Sequence, residues 1–190
     1  MRGTCAPIRK LSLTQKAEEA FEISLEMNVV SNADLYGGKL CAALDRQHPR
    51  DLFDIKLLLE NEGITDEIRQ GFIVYLISHD RPMSELIKPT QKDIAHIFKS
   101  EFEGMAVQPV TLDSLLKART KMIDTLSKGL TSDERKFILS IKTGNPDWSL
   151  FKLKGIEKLP GVQWKLMNIK KMNKTKQAES FDKLKKKLQL

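Results

Sequence analysis

Residues 34–56 read DLYGGKLCAALDRQHPRDLFDIK. Apolar residues recur at helical spacing, and Pro49 divides the run, so the stretch predicts a pair of helices burying a common face. Threaded through that face are Lys39, Arg46, Arg50, Asp51 and Asp54, and Gly37 and Gly38 precede the first lysine. Charges placed where two helices bury apolar surface need a reason. The fold and the function both turn on that reason.

Outward from this stretch the pattern stays helical. Ser31 or Asn32 is suited to cap the first helix, and Gly63 ends the second, PRDLFDIKLLLENE. Thr65 opens a third, with Ile68, Phe72, Tyr75 and Leu76 on one face. Thr90 with Asp93, and Thr131 with Glu134, have capping-box spacing. Leu112, Leu115, Leu116, Met122, Ile123 and Leu126 predict an amphipathic helix. TGNPDW and KLPG mark turns, and the lysine-rich end forms one long helix or two shorter ones. Toward the N-terminus the period changes. FEISLEMNV (21–29) alternates Phe21, Ile23, Leu25, Met27 and Val29 with polar residues, which predicts a half-buried strand, and APIRKLSL (6–13) is its expected antiparallel partner. The expectation is a mainly α chain of α+β type: short N-terminal strands followed by a helical bundle. It divides into residues 1–60, which carry the charged run, and a helical domain 61–190.

The chain has 190 residues, enough for one core, with 41% hydrophobic and 30% charged residues. No apolar stretch approaches the roughly 20 residues needed to cross a bilayer, and charge interrupts any leader-like run near Met1. These features predict a soluble, cytoplasmic protein without membrane association. Cys5 and Cys41 make no disulfide framework or zinc pattern, and Cys41 reads as a small core residue. His48, His79 and His96 are too far apart for a local metal motif. His79 is expected at a helix end and His96 partly buried; Trp148 and Trp164 are expected as packing anchors. The net charge of +7 resides entirely in the last 27 residues, where nine lysines face only Glu179 and Asp182. Lys170, Lys171, Lys174, Lys185, Lys186 and Lys187 are therefore candidate nucleic-acid contacts, against the plainer account of a solvated helix face.

On a straight helix Lys39 and Arg46 differ in azimuth by about 20°, with Ala43 between them. Two cations along an alanine-lined stripe, reached past two glycines, leave room for a phosphate chain near the backbone. Asp51 and Asp54 share a face of the next helix. Carboxylates opposite a cationic stripe suit a metal–nucleotide site: oxygens hold Mg²⁺ or orient a hydroxyl, and a lysine meets the phosphates. Plainer roles stay open: Asp51 complementing the helix dipole, Arg50 pairing with Asp54 at i,i+4, and Arg46 closing its own helix. The GGK tripeptide is not a Walker A loop.

K-L-C-A-A-L-x-R followed by R-D-L-F-D-I resembles the late motifs of the AbiEii/AbiGii nucleotidyltransferase-type toxins. Lys39, Ala42, Arg46, Arg50, Asp51 and Asp54 match the family's places, and FILSIKTGNPDW with LPGVQWKLMNIKKM is similar to its C-terminal part. The resemblance implies a polymerase-β-like nucleotidyltransferase sheet, of which the N-terminal strands are a remnant. It implies transfer of a nucleotide from a nucleoside triphosphate (NTP) to an acceptor such as tRNA, with Mg²⁺, as part of abortive infection and phage defence under a cognate antitoxin. Lys39 would hold the triphosphate, Asp51 would act as acceptor-side base or metal-associated carboxylate, and Asp54, Arg46 and Arg50 would orient the site. The family's glycine–serine motif and D-x-D pair have no counterpart here. The resemblance therefore implies the later half to two-thirds of such an enzyme, truncated, with no metal site of its own, no tightly bound NTP or Mg²⁺, and little or no activity. A second reading is a non-catalytic helical module that binds nucleic acid or a protein partner through its lysine-rich C-terminus.

Overall fold

A computed structural model describes residues 3–190. Strand β1 (Arg9–Ser12) pairs antiparallel with β2 (Glu26–Val29), Arg9 opposite Val29 and Ser12 opposite Glu26. The alternation across residues 21–29 is strand only in its last part. Helix α1 (Gln15–Phe21) takes Phe21, because QKAEEA before it consists of strong helix formers, Glu22 ends it in the left-handed region at φ 51°, and residues 23–25 are irregular. The expected buried face does not form among the described residues: Phe21, Ile23, Leu25 and Met27 are all exposed. Two strands alone offer nothing to cover it.

The hairpin is tied to the body through Asp34, a fully buried carboxylate. Asp34 accepts from the N–H groups of Cys5 (2.7 Å) and Ala6 (3.1 Å) and from the Ser31 hydroxyl (2.9 Å). Burial and the bond to Asp34 push the Cys5 thiol up to about 12.

Ser31 caps α2 (Asn32–Arg46), and α3 (Pro49–Asn61) starts at the proline, its N-terminus capped by His48 Nδ1. Gly63 turns the chain at φ +70°, and Thr65 caps α4 (Asp66–Ile77). Short helices α5 (Met83–Ile87) and α6 (Ala95–Glu101) follow. The capping box expected at Thr90 and Asp93 does not form: α6 begins later, Asp93 accepts from Ala95 N–H, and the Thr90 carbonyl serves another side chain. Helix α7 (Leu112–Gly129) is capped by Thr111, and α8 (Ser132–Ile141) by the reciprocal Thr131–Glu134 box. Two single turns, Trp148–Leu150 and Ile156–Lys158, lead to α9 (Pro160–Lys170) and α10 (Lys174–Leu188), so the basic end is two helices.

One apolar core runs from Leu40 to Leu188, and it passes across residue 60, which lies in the last turns of α3. Helix α3 packs on α7, and α10 lies against α5 and α8. Phe137 stacks on Phe151 at 4.6 Å and meets Trp148 at 5.7 Å. Trp148 is thus a packing anchor as expected, whereas Trp164 is 44% exposed and His96 lies on the surface of α6.

The most extensive helix pair is α2 with α4. It is a backbone contact. A Cβ on Gly37 would lie 2.6 Å from the Gly71 carbonyl carbon, and one on Gly71 would lie 2.2 Å from the Ala33 oxygen. Gly38 faces the Tyr75 ring at 3.2 Å. The glycines therefore do not open the backbone to a phosphate chain, as their position before Lys39 had suggested. They admit a second helix. Gly71→Ala and Gly37→Ala should each destabilise the fold by at least about 2 kcal/mol despite alanine's better helix propensity, because backbone cannot move aside. Gly38→Ala should cost less than about 1 kcal/mol, since a side chain can yield. Urea unfolding of the three variants checks the order.

Candidate nucleotide site

The turn between α2 and α3 is two residues long, Gln47 and His48, so positions just before it meet positions just after it. Arg46 reaches Asp51 with a two-pronged bond, Nε to Oδ2 at 2.9 Å and Nη2 to Oδ1 at 2.6 Å. Two helical turns back, Lys39 Nζ meets Asp54 Oδ2. The cations of α2 and the carboxylates of α3 thus interlock as two ion pairs along one seam.

The pairs differ in setting. Asp51 is 15% exposed beneath a largely exposed Arg46, whereas Lys39 and Asp54 are each more than a third exposed. Surface pairs of this kind contribute about 0.2–1 kcal/mol each, the forked arginine pair having the better geometry. Ala43, expected to line an open stripe, is fully buried in the core. Lys39 and Arg46 lie beside that buried line, and their long stems carry their charge to the surface.

Arg50 does not pair with Asp54. Its guanidinium turns to α6, donating to the Glu101 carbonyl at 3.3 Å beside Met105 Sδ. His48 Nε2 lies 3.1 Å from the Glu101 carboxylate. Nor does Arg46 close its own helix: Lys92 Nζ takes the Asp45 and Arg46 carbonyls at 3.1 and 3.3 Å. Of the five charged motif residues, the structure gathers Lys39, Arg46, Asp51 and Asp54 on one seam and sends Arg50 to another.

Two residues that the sequence pattern did not single out hold this corner. Gln47 occupies the left-handed region at φ 55° with its side chain buried. Its amide donates to the Thr90 carbonyl (2.8 Å), and its oxygen accepts from Lys92 N–H (3.0 Å) and Arg119 Nη1 (3.1 Å). Arg119, buried on α7, also donates to the Lys92 carbonyl at 2.8 Å and to Gln91 Oε1 at 3.1 Å. Burial lowers its affinity for its proton. A polar residue before His-Pro signals only a turn, so the sequence carried no cue to this junction.

Asp51 and Asp54 each already face a cation. Among the described residues no group of three or more His, Cys, Asp or Glu is placed to hold a metal. Any Mg²⁺ held by these two carboxylates would complete its oxygen shell with water and triphosphate oxygens.

The C-terminal lysines are scattered. Lys170 and Lys171 border a depression beside Trp148 and Gly144, while Lys174, Lys185 and Lys186 are exposed. Lys187 turns inward to the Lys88 carbonyl at 3.4 Å. Lys165, one of the nine, is buried and donates to the His79 (2.5 Å) and Arg81 (2.7 Å) carbonyls, tying α9 to the loop after α4.

Residues 1–168 match the family described as the nucleotidyl transferase AbiEii toxin of Type IV toxin–antitoxin (TA) systems. The chain belongs to that family, and membership implies a cognate antitoxin as its partner. Neither the curated proteins nor the solved structures include a match. No helix among the described residues is long and apolar enough to cross a membrane.

Gln47→Leu keeps the side-chain bulk but strands Lys92 N–H and the Thr90 carbonyl and removes one of the two acceptors of Arg119 Nη1. It should cost about 2–3 kcal/mol, since buried partners left unpaired lose more than the bond itself contributes. The measurement is urea unfolding.

Proposed function

We propose that the α2–α3 seam orients the two substrates of a nucleotidyl transfer, a nucleoside triphosphate and an RNA acceptor such as tRNA. The supporting observation is the convergence of Lys39, Arg46, Asp51 and Asp54, drawn from two helices, on one surface line. Lys39 exchanges Asp54 for the β- and γ-phosphates of the triphosphate. Asp51 has four lone-pair sites and gives two to Arg46, so two remain to take a proton from the acceptor hydroxyl. The hydroxyl oxygen then bonds to the α-phosphorus, and pyrophosphate leaves with the electron pair of the broken P–O bond. Arg46 keeps Asp51 oriented, and Arg50 fixes the start of α3 against α6. Mg²⁺, the cofactor the family resemblance implies, would draw on Asp51 or Asp54 together with triphosphate oxygens and water, and none of these roles depends on it.

The second reading is a helical module that binds nucleic acid or a protein without catalysis, and the lysines of α10 favour it. The two readings part on transfer: labelled nucleotide appears on RNA only in the first.

Because Lys39 is held by Asp54, the two residues should act on triphosphate binding with opposite signs. In an ATP titration Lys39→Ala should weaken binding. Asp54→Asn, which frees the ammonium group, should strengthen it up to about fivefold, the worth of an exposed ion pair. Unchanged affinity in both variants would remove the seam from triphosphate recognition. In a parallel reaction with α-phosphate-labelled NTPs and bulk tRNA, Asp51→Ala should abolish any label transfer that the parent chain supports.

A further inference from the structure

A polar cavity of about 380 Å³ opens where the end of α2, the segment around α5 and the last turns of α10 meet. Its walls carry Arg81, Lys88, Lys92, Lys183 and Lys187 against Asp45 and Glu85. Asp45 is already engaged by Arg81 at 3.1 Å, and Lys92 is spent on the α2 carbonyls. Lys88 is half-buried and Lys183 exposed, and neither ammonium group has a hydrogen-bond or ion-pair partner among the described residues. The end of a helix repels anions through its carbonyls. Here Lys92 covers the last carbonyls of α2, so the repulsion is cancelled where the cavity begins.

We propose that this cavity binds the phosphodiester backbone of an RNA strand, with Lys88, Lys183 and Lys187 on its phosphates. The inference rests on the RNA-acceptor reading and adds where the acceptor lies. Four observations carry it. The cavity lining is itself basic, Arg81, Lys88, Lys92, Lys183 and Lys187 outnumbering Asp45 and Glu85 in a concave space. Two of its cations are uncommitted. No aromatic side chain lines the cavity, so it offers backbone contacts rather than base stacking. It also adjoins the seam, because Lys92 touches the carbonyl of Arg46, whose side chain holds Asp51. Of the three contacts, Lys183 and Lys187 lie outside the matched residues 1–168 and Lys88 lies within them.

The expected behaviour is sequence-independent, salt-sensitive binding. Lys174 and Lys185 lie about half a turn round α10 from Lys183, at 100° per residue, and supply a control with the same loss of charge. Fluorescence anisotropy with a labelled single-stranded RNA and the full chain is the test. Lys88→Ala/Lys183→Ala should weaken binding roughly tenfold and reduce the slope of log affinity against log salt by about 1.4, two phosphate contacts at about 0.7 each. Lys174→Ala/Lys185→Ala should change affinity less than about threefold. Lys183→Glu, at an exposed position, should weaken binding more than Lys185→Glu. Thermal unfolding of each variant confirms that the fold is intact. Equal or larger losses in the control variants overturn the cavity while leaving the RNA reading standing. No RNA binding by the parent chain overturns both. RNA binding that is sensitive at Lys88 and Lys183, without label transfer to tRNA, leaves the cavity and removes the transferase reading. Displacement of the RNA by ATP that depends on Lys88 and Lys183 would mark the cavity as a nucleotide site and overturn it as an RNA path.

Discussion

The structure depends on a place where two helices touch without side chains. Gly37 on α2 and Gly71 on α4 bring backbone against backbone, close enough that a methyl group on either would lie inside the carbonyl of its neighbour. Close approach at that point sets where α2 sits, and α2 carries Asp34, Lys39, Arg46 and Gln47. Asp34 tethers the hairpin, Gln47 turns the chain into α3, and the two cations meet the carboxylates of α3. Through α4 the same contact reaches α8, where Arg69 donates to Glu134 at 3.1 Å, the carboxylate that also completes the α8 capping box.

The charged seam shows how a helix pair accommodates ionic groups without burying them unpaired. The apolar line of α2 and α3 is occupied by Leu40, Ala43, Leu44, Leu52 and Ile55, all essentially inaccessible. Lys39 and Arg46 flank that line, and Asp51 and Asp54 meet them at its margin. Each charge finds a partner while still reaching water, which avoids the several kcal/mol that an isolated buried ion would cost. A seam built this way is not rigidly closed. Exposed pairs are weak enough for a phosphate or hydroxyl to compete, which a fully buried pair would resist.

The excess of lysine at the C-terminus resolves into three physical roles. Lys165 is interior, its ammonium group serving the carbonyls of a loop. Lys183 and Lys187 face a cavity shared with Arg81, Lys88 and Lys92. Others, such as Lys174 and Lys185, are solvated surface. A count of charge along the chain treats these alike, and only their separation in space assigns them different chemistry.

Much of the architecture was legible in the residues. Caps at Ser31, Thr65 and Thr131 and the proline at position 49 act through bonds within one turn, so local sequence specifies them. The pairing of α2 cations with α3 carboxylates was also legible in outline, because a short turn forces neighbours across it together. The family match agrees with the motif residues that suggested it. Other features were settled by contacts far apart in the chain. The buried junction of Gln47 with Thr90, Lys92 and Arg119 joins segments more than 40 residues apart. Arg50 is drawn to Glu101, and the glycine pair that suggested room for phosphate is filled by another glycine on α4. The sequence alone thus determined the elements and the charges they carry, since periodicity and capping are short-range. Only tertiary structure decided which partner each charge meets and whether a glycine leaves space or fills it, because those depend on which helix arrives opposite.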